Sequence, residues 1–588
     1  MTDRLSAPAR PVRRRGAVLA LAAPWPVAAV CAVFVAAQLA LTVRGSGLGW
    51  DETVYTSQVS GHVPAAFFSA PRARGVTFLA APVAALTAST AVLRLWMALL
   101  SGAGLFAAFW PWRRLLPPRV LALAAGLFAG LWITLFYGPQ VMPNLWSAYG
   151  ALGATGCLMG FATRGRAPGP GRVAGERRWP GGGVRGSGPE TEYGDAESGR
   201  EAPGPAAGEP GLGGPARGAA AEAAGPGFLP GVPGAVPGTG HPGRVAAGLG
   251  FGGLGRAAGF ALAGLAAGVA VAGLMRPPDA VWLAAGLGCA AAVLARGWRV
   301  PVFAALAAGL VLGCAEWVVE AYASYGGLSE RLHRASAIQG GLGWHVAFGD
   351  QLRALDGRTL CRPCDVPWRH RVTAAWWLLL PFAAAAGAAV APRGRRAAVV
   401  VPAVTAVFVA APYLLTVGYA APRFLLPAYA LLALPVAECL RWLVMAPGGR
   451  WRPLPTALVA LALCGHLAVQ LGVLHGVTRN NRVLSGKYAA VAARLHSHGV
   501  RPPCVLSGDN AVPIAYYSGC ASRQTGGPDR SVDAAGLAAL ARREAAAYLL
   551  AAGSRTPAFA VAWPCVPLPL SPEPGGERAC VAPRPAPR

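Results

Sequence analysis

Charge is what this chain has least of. Asp, Glu, Lys and Arg make up 13% of its 588 residues, while 54% are hydrophobic and the mean hydropathy is +0.44. A soluble protein of several domains needs more polar surface than that, so that class is excluded. Acids are scarcer than bases, 25 against 52, which leaves a net charge of +27. The excess is parcelled into short segments between apolar runs: Arg13-Arg14-Arg15, Arg113-Arg114 with Arg119, Arg296 with Arg299, Arg393 with Arg395-Arg396, and Arg450 with Arg452. Alternate loops carry these clusters, which is the positive-inside pattern of a multi-pass membrane protein. Basic charge here records topology, and no nucleic-acid partner is expected.

A small-residue cleavage site is also missing behind the first arginines, so the first apolar run is expected to remain as an uncleaved helix. Apolar runs predict spans at about 17–43, 90–111, 120–137, 146–163, 257–275, 280–295, 300–318, 372–391, 397–416, 424–445 and 454–474. These are about eleven crossings of an α-helical polytopic protein, with a cytoplasmic N-terminus and the C-terminal tail outside the plasma membrane. Gly75–Ser89 is apolar but short and is expected to be interfacial or re-entrant. High Gly, Ala and Arg usage points to a GC-rich bacterial genome.

The chain divides into four parts. Residues 1–163 form an N-terminal membrane part with an outer loop at 44–89. Residues 164–256, with stretches such as Gly204-Pro205-Ala206-Ala207-Gly208-Glu209-Pro210, have too little apolar surface to order and read as a disordered cytoplasmic insertion. Residues 257–477 form the second membrane part, whose outer loop 319–371 contains an amphipathic helix at Leu328-Ser329-Glu330-Arg331-Leu332-His333-Arg334. Residues 478–588 read as a small α/β domain, with helices at Lys487–His498 and Val532–Ala545 and strands at Pro503–Gly508 and Ala546–Ala552.

Cysteine is missing from every loop placed in the cytoplasm. Cys31, Cys157, Cys289, Cys314, Cys439 and Cys464 sit in apolar spans as small hydrophobes. Cys361, Cys364, Cys504, Cys520, Cys565 and Cys580 fall outside, an even number on the oxidising side, and are disulfide candidates with pairing left open. Cys361-Arg362-Pro363-Cys364 lacks a second CxxC or a nearby histidine, so zinc is not expected. His496 and His498 point to different faces of a helix and read as surface residues. No cofactor is expected, and nothing in the sequence supports a divalent metal.

Against this sparse background two adjacent acids stand out in Trp50-Asp51-Glu52, just beyond the first span. Carboxylates held at a bilayer surface cost desolvation; capping a helix is one explanation and catalysis another. On the same side fall Tyr55, Gln58, Ser69-Ala70-Pro71-Arg72-Ala73-Arg74-Gly75, Arg94, Gln140, Asn144, Arg276-Pro277-Pro278-Asp279 and Tyr419 to Pro427 with Arg423. Acids and arginines converging on one membrane face fit a site that grips an anionic lipid headgroup while a carboxylate moves a proton.

Trp50-Asp51-Glu52-Thr53-Val54-Tyr55, the Pro71–Gly75 turn, Leu274-Met275-Arg276-Pro277-Pro278 and Pro422-Arg423-Phe424-Leu425-Leu426-Pro427-Ala428-Tyr429 resemble the GT-C glycosyltransferases, in particular the protein mannosyltransferase and aminoarabinose transferase group. The resemblance implies a GT-C-like fold and inverting transfer of a hexosyl or pentosyl unit from a polyprenyl-phosphate-linked sugar. The acceptor would be a protein, lipid or cell-wall glycan at the outer membrane face. Asp51 would be the general base, and Glu52 beside it would orient the acceptor or cap the local helix. Arg276 and Arg423, then Arg72 and Arg74, would bind the donor phosphate, and Tyr55, Gln58, Gln140 and Asn144 the substrate. The chain departs from the group in having Ala70-Pro71-Arg72 at the turn after the acids, and Gln140 and Asn144 where a second acid often stands. A nucleotide-sugar donor is disfavoured because no Gly-rich phosphate loop precedes the membrane part. The rival classes are a transporter or flippase, against which stand edge-located charges and the lack of a repeat, and a non-catalytic scaffold.

Overall fold

The computed structural model describes residues 25–164, 255–295, 297–341, 343–365, 367–448, 451–568 and 576–583. The Gly/Pro-rich segment expected to be disordered lies outside them, as do Arg13-Arg14-Arg15, Arg296 and Arg450.

Among the described residues eighteen α-helices follow in chain order. The first seven are α1 (Trp25–Gln38, continued as a π-turn to Val43), α2 (Trp50–Ser57), α3 (Gly75–Ala84), α4 (Thr90–Phe109), α5 (Pro118–Ala129), α6 (Trp132–Tyr137) and α7 (Asn144–Arg164). After the insertion come α8 (Arg256–Met275), α9 (Pro277–Leu294), α10 (Arg299–Ser324), α11 (Leu328–Ile338), α12 (Phe348–Ala354), α13 (Ala375–Val390), α14 (Arg396–Leu415), α15 (Leu426–Met445) and α16 (Pro453–Ser497). The tail adds α17 (Ala511–Ser518) and α18 (Ala534–Ala541).

Nine of the helices among the described residues are long and apolar enough to cross a membrane. The two remaining expected spans are also helical but differ in kind. The run at 120–137 is broken at Gly130-Leu131 into α5 and α6, and α7 is so heavily lined with buried residues that it needs no lipid-facing stripe. Helix α3 has 10 residues, about 15 Å, half of a hydrocarbon core, so it cannot cross alone.

Small residues let the central helices touch. A Cβ on Gly268 would lie 2.7 Å from the carbonyl oxygen of Gly150, so α7 and α8 meet backbone to backbone. At the opposite end of the bundle from Asp51, buried Glu438 of α15 accepts from Arg441 at 2.8 and 3.0 Å and lies 3.4 Å from Arg395 at the head of α14.

Helix α16 is the largest departure from the expected layout. A span at 454–474 and a separate helix from Lys487 were expected, but one uninterrupted helix of 45 residues, about 68 Å long, serves both. No proline falls between Pro455 and Ser497 to break it, and Tyr488, Val491 and Leu495 on its distal half anchor the core of the tail domain. That domain carries a five-stranded sheet in the order β2-β1-β3-β5-β4, with β1 Cys504–Gly508, β2 Ala521–Ser522, β3 Ala545–Leu550, β4 Cys565–Pro567 and β5 Arg578–Val581. β1 runs parallel to β2 and β3, and β5 is antiparallel to β3 and β4. Disulfides join Cys361 to Cys364, Cys504 to Cys520 and Cys565 to Cys580.

Candidate active site

The site begins with a helix start. Gly49 is extended (φ −82°, ψ 179°) and opens α2. Its N–H donates to Glu52 Oε2 at 3.0 Å, so the third residue of the helix caps the first turn. Glu52 is 2% exposed and both its oxygens are saturated. Oε1 accepts from Arg94 at 2.5 Å and from the Val141 N–H at 3.0 Å, and Oε2 accepts from Arg94 at 2.8 Å. Arg94, itself 1% exposed, also donates to the carbonyls of Gly47 and Pro139. Glu52 thus ties α2, α4 and the α6–α7 turn together and faces protein, not solvent.

Asp51, one position earlier on the helix, points the other way. Its side chain is 35% exposed. Oδ1 accepts from Arg72 at 2.9 Å and Oδ2 from Arg423 at 3.2 Å. Burial pushes its carboxyl upward, but the charges of Arg72, Arg423 and Arg276 outweigh that and leave it below its ordinary value. Burial likewise raises the phenol of nearby Tyr55.

Proline geometry sets the arginines. Arg276 sits between α8 and α9 in an extended conformation (φ −154°, ψ 97°), imposed because Pro277 forbids the helical region to the residue before it. Pro277 and Pro278 then open α9 with Asp279 in its first turn. Tyr413 donates to Asp279 and accepts from Arg276 at 3.0 Å, while the Arg276 guanidinium lies 4.7 Å from the Phe424 ring centre. Arg423 lies in the Pro422–Leu425 turn that opens α15, and donates to the Thr359 carbonyl at 2.7 Å and to Tyr137 at 3.3 Å.

The remaining expected residues separate. Arg74 faces away from Asp51, bonded to Glu320 at 2.5 and 3.0 Å and to Gln58 at 3.1 Å, with Glu316 at 3.4 Å. Gln58 is used up by Arg74 and by the carbonyls of Val54 and Ala66. Asn144 is buried, and neither of its amide atoms has a partner. Gln140 lines a cavity of about 230 Å³ beside Asp51, with Trp50, Tyr137, Arg423, Asn481 and Tyr488. An apolar groove of about 760 Å³ runs between α13, α14 and α15, lined by Trp377, Pro381, Ala406, Ala410, Leu425 and Tyr429.

Sequence reasoning missed two parts of the site. Arg331 of α11 is fully buried and donates to the carbonyls of Ala70 (3.1 Å), Arg72 (3.0 Å) and Trp317 (2.6 Å), and to Glu320 at 2.7 Å. It clamps the turn that carries Arg72. The other is Asp529 of the tail, whose carboxylate accepts from Arg72 at 2.9 Å and from the Trp50 indole at 3.1 Å. Glu316 and Glu320, two acids one turn apart at the end of an apolar span, were a usable signal; Asp529 gave none. Among the described residues no group of three or more His, Cys, Asp or Glu side chains could hold a metal.

This arrangement of spans, outer loops and tail matches a solved membrane protein along nearly its whole length. ArnT from Cupriavidus metallidurans bound to undecaprenyl phosphate aligns with 96% of this chain and 98% of its own, with a TM-score of 0.57 and 11% identity. Its apo structure aligns with 95% and 97%, with a TM-score of 0.52 and 12% identity. The chain has the GT-C fold. No family model and no curated protein sequence matches it. Within the GT-C fold, Asp51, Arg72, Arg276 and Arg423 converge at one end of the helix bundle from four separate segments.

Proposed function

We propose that the chain is an inverting glycosyltransferase that moves a sugar from a polyprenyl-phosphate donor to an acceptor at the outer face of the membrane. The observation that carries this reading is Asp51, a partly open carboxylate kept ionised between two guanidiniums at the mouth of a polar cavity. The likeness to ArnT, solved with undecaprenyl phosphate, supports the donor class. The apolar groove between α13, α14 and α15 suits the prenyl chain, and Arg423 and Arg276 suit its phosphate.

Asp51 takes the proton from the acceptor hydroxyl as that oxygen attacks the anomeric carbon. The bond from that carbon to the phosphate oxygen breaks on the opposite side, and polyprenyl phosphate leaves as an anion stabilised by arginine. With both oxygens paired, Asp51 is a poor base. An arriving phosphate draws Arg423 away from Oδ2, which frees a lone pair and removes part of the charge that holds the carboxyl down. Donor binding thereby switches the base on. Glu52, saturated and buried, serves as the cap that aims α2. Arginine-rich segments at the opposite end of the bundle support an outer position for Asp51 and a cytoplasmic N-terminus.

The test is Asp51→Asn in lipid nanodiscs with a polyprenyl-phosphate glycolipid extract and membrane acceptors. Transfer should fall by about two to four powers of ten with the fold intact; undiminished transfer would refute the assignment.

A further inference from the structure

We infer that the cavity beside Asp51 receives the sugar of the donor, and that this sugar is a single uncharged ring bearing hydroxyls and no amine. The inference rests on the glycosyl-transfer reading above and names its substrate. Size comes first. About 230 Å³ is below the range of pockets that enclose drug-sized ligands, which leaves space for one ring and not for an oligosaccharide.

Charge comes second. An ammonium is held most strongly by a carboxylate with an oxygen to spare. The two carboxylates in the lining are Asp51 and Glu52, and all four oxygens are engaged: those of Asp51 by Arg72 and Arg423, those of Glu52 by Arg94, Gly49 and Val141. Arg423, itself in the lining, repels a cation. An arriving phosphate frees Oδ2 of Asp51, but an ammonium paired there would occupy the group required to take the acceptor's proton.

The hydrogen-bonding groups left over come third. Gln140, only 6% exposed, lines the cavity, and the buried Oδ1 of Asn481 has no bonding partner among the described residues. Asn480 joins them on the α16 wall, and the aromatic side chains of Trp50, Phe136 and Tyr137 line the cavity as well. Carboxamides that both donate and accept, set among aromatic side chains, suit the hydroxyls and C–H faces of a neutral sugar. The fold alone could not separate a neutral sugar from an amino sugar; the lining does.

The test uses the full chain in nanodiscs and three competitors of a fluorescent polyprenyl phosphate: unlabelled polyprenyl phosphate, the same lipid carrying a hexose, and that hexose with one hydroxyl replaced by an amine. The hexose lipid should compete at a concentration about tenfold or more below the amine lipid, because like charges and unpaired amides penalise the latter. Asn481→Ala and Gln140→Ala should weaken the hexose lipid severalfold while leaving bare polyprenyl phosphate unchanged. Equal or tighter binding of the amine lipid overturns the inference. So does a result in which neither sugar improves on the bare lipid, although phosphate binding would then stand. If no polyprenyl phosphate binds at all, the glycosyl-transfer reading itself falls.

Discussion

Two neighbouring carboxylates divide the labour because successive positions on a helix point about 100° apart. Asp51 meets the cavity and Glu52 meets Arg94. Glu52→Gln removes half of a fully buried ion pair and leaves Arg94 uncompensated, so unfolding in detergent should show a loss of about 3–5 kcal/mol. Arg72→Gln acts on Asp51 through charge. A depressed carboxyl stays ionised at lower pH, and its contribution is lost only as pH falls through the native value. Without Arg72, burial gains ground, the native value rises, and the acid limb of the transfer-rate profile should move to higher pH. An unmoved limb would detach Asp51 from that limb. At this scale the sequence was informative: adjacent acids in a chain so poor in charge need a reason. What it could not say is which acid turns inward, because that depends on Arg94 and the Val141 N–H, both distant in the chain.

Elements place the arginines. Arg276 and Arg423 were legible because X-Arg-Pro and Pro-Arg at span ends have fixed backbone consequences. Arg331 was not legible. In Leu328–Arg334 the arginine falls on the polar side of an amphipathic pattern, which ordinarily faces water. Here that side packs on the loop Ala70–Arg72 and on Trp317, so three backbone carbonyls and one carboxylate replace solvent. A lysine cannot reproduce a planar fork with several donors. Arg331→Lys should therefore lower transfer about ten- to a hundredfold through misplacement of Arg72, with donor affinity less affected. Counting donor-lipid sites per protein alongside the rate checks this, since general unfolding would lower the number of sites in step with the rate, whereas a misplaced Arg72 leaves it unchanged. The continuous α16 was hidden for a related reason: hydropathy ends at the membrane surface, but helical hydrogen bonding does not.

At the scale of the whole molecule, the sequence reads the tail as a small α/β domain, and the structure packs it against the first outer loop. Ser485 accepts from the Gly47 N–H, Tyr517 from the Leu48 N–H at 2.7 Å, and Asp529 from Trp50 and Arg72. Composition could assign the tail an α/β fold from its own helix and strand patterns. It could not reveal that a Gly526-Gly527-Pro528-Asp529 turn returns more than 400 residues to the first loop, with a sequence separation of 457 between Asp529 and Arg72. Arg72 is thereby held at three points: Ser69, Asp51 and Asp529. Removing the third lets the guanidinium swing toward whatever anion enters the site. Asp529→Ala should then cost about ten- to a hundredfold in transfer, while Asp529→Asn, which keeps one acceptor oxygen for Arg72 and gives up the one used by Trp50, should recover part of it. Equal loss in both variants would assign the effect to charge; no loss in either would make the tail a docked neighbour with no share in placing Arg72.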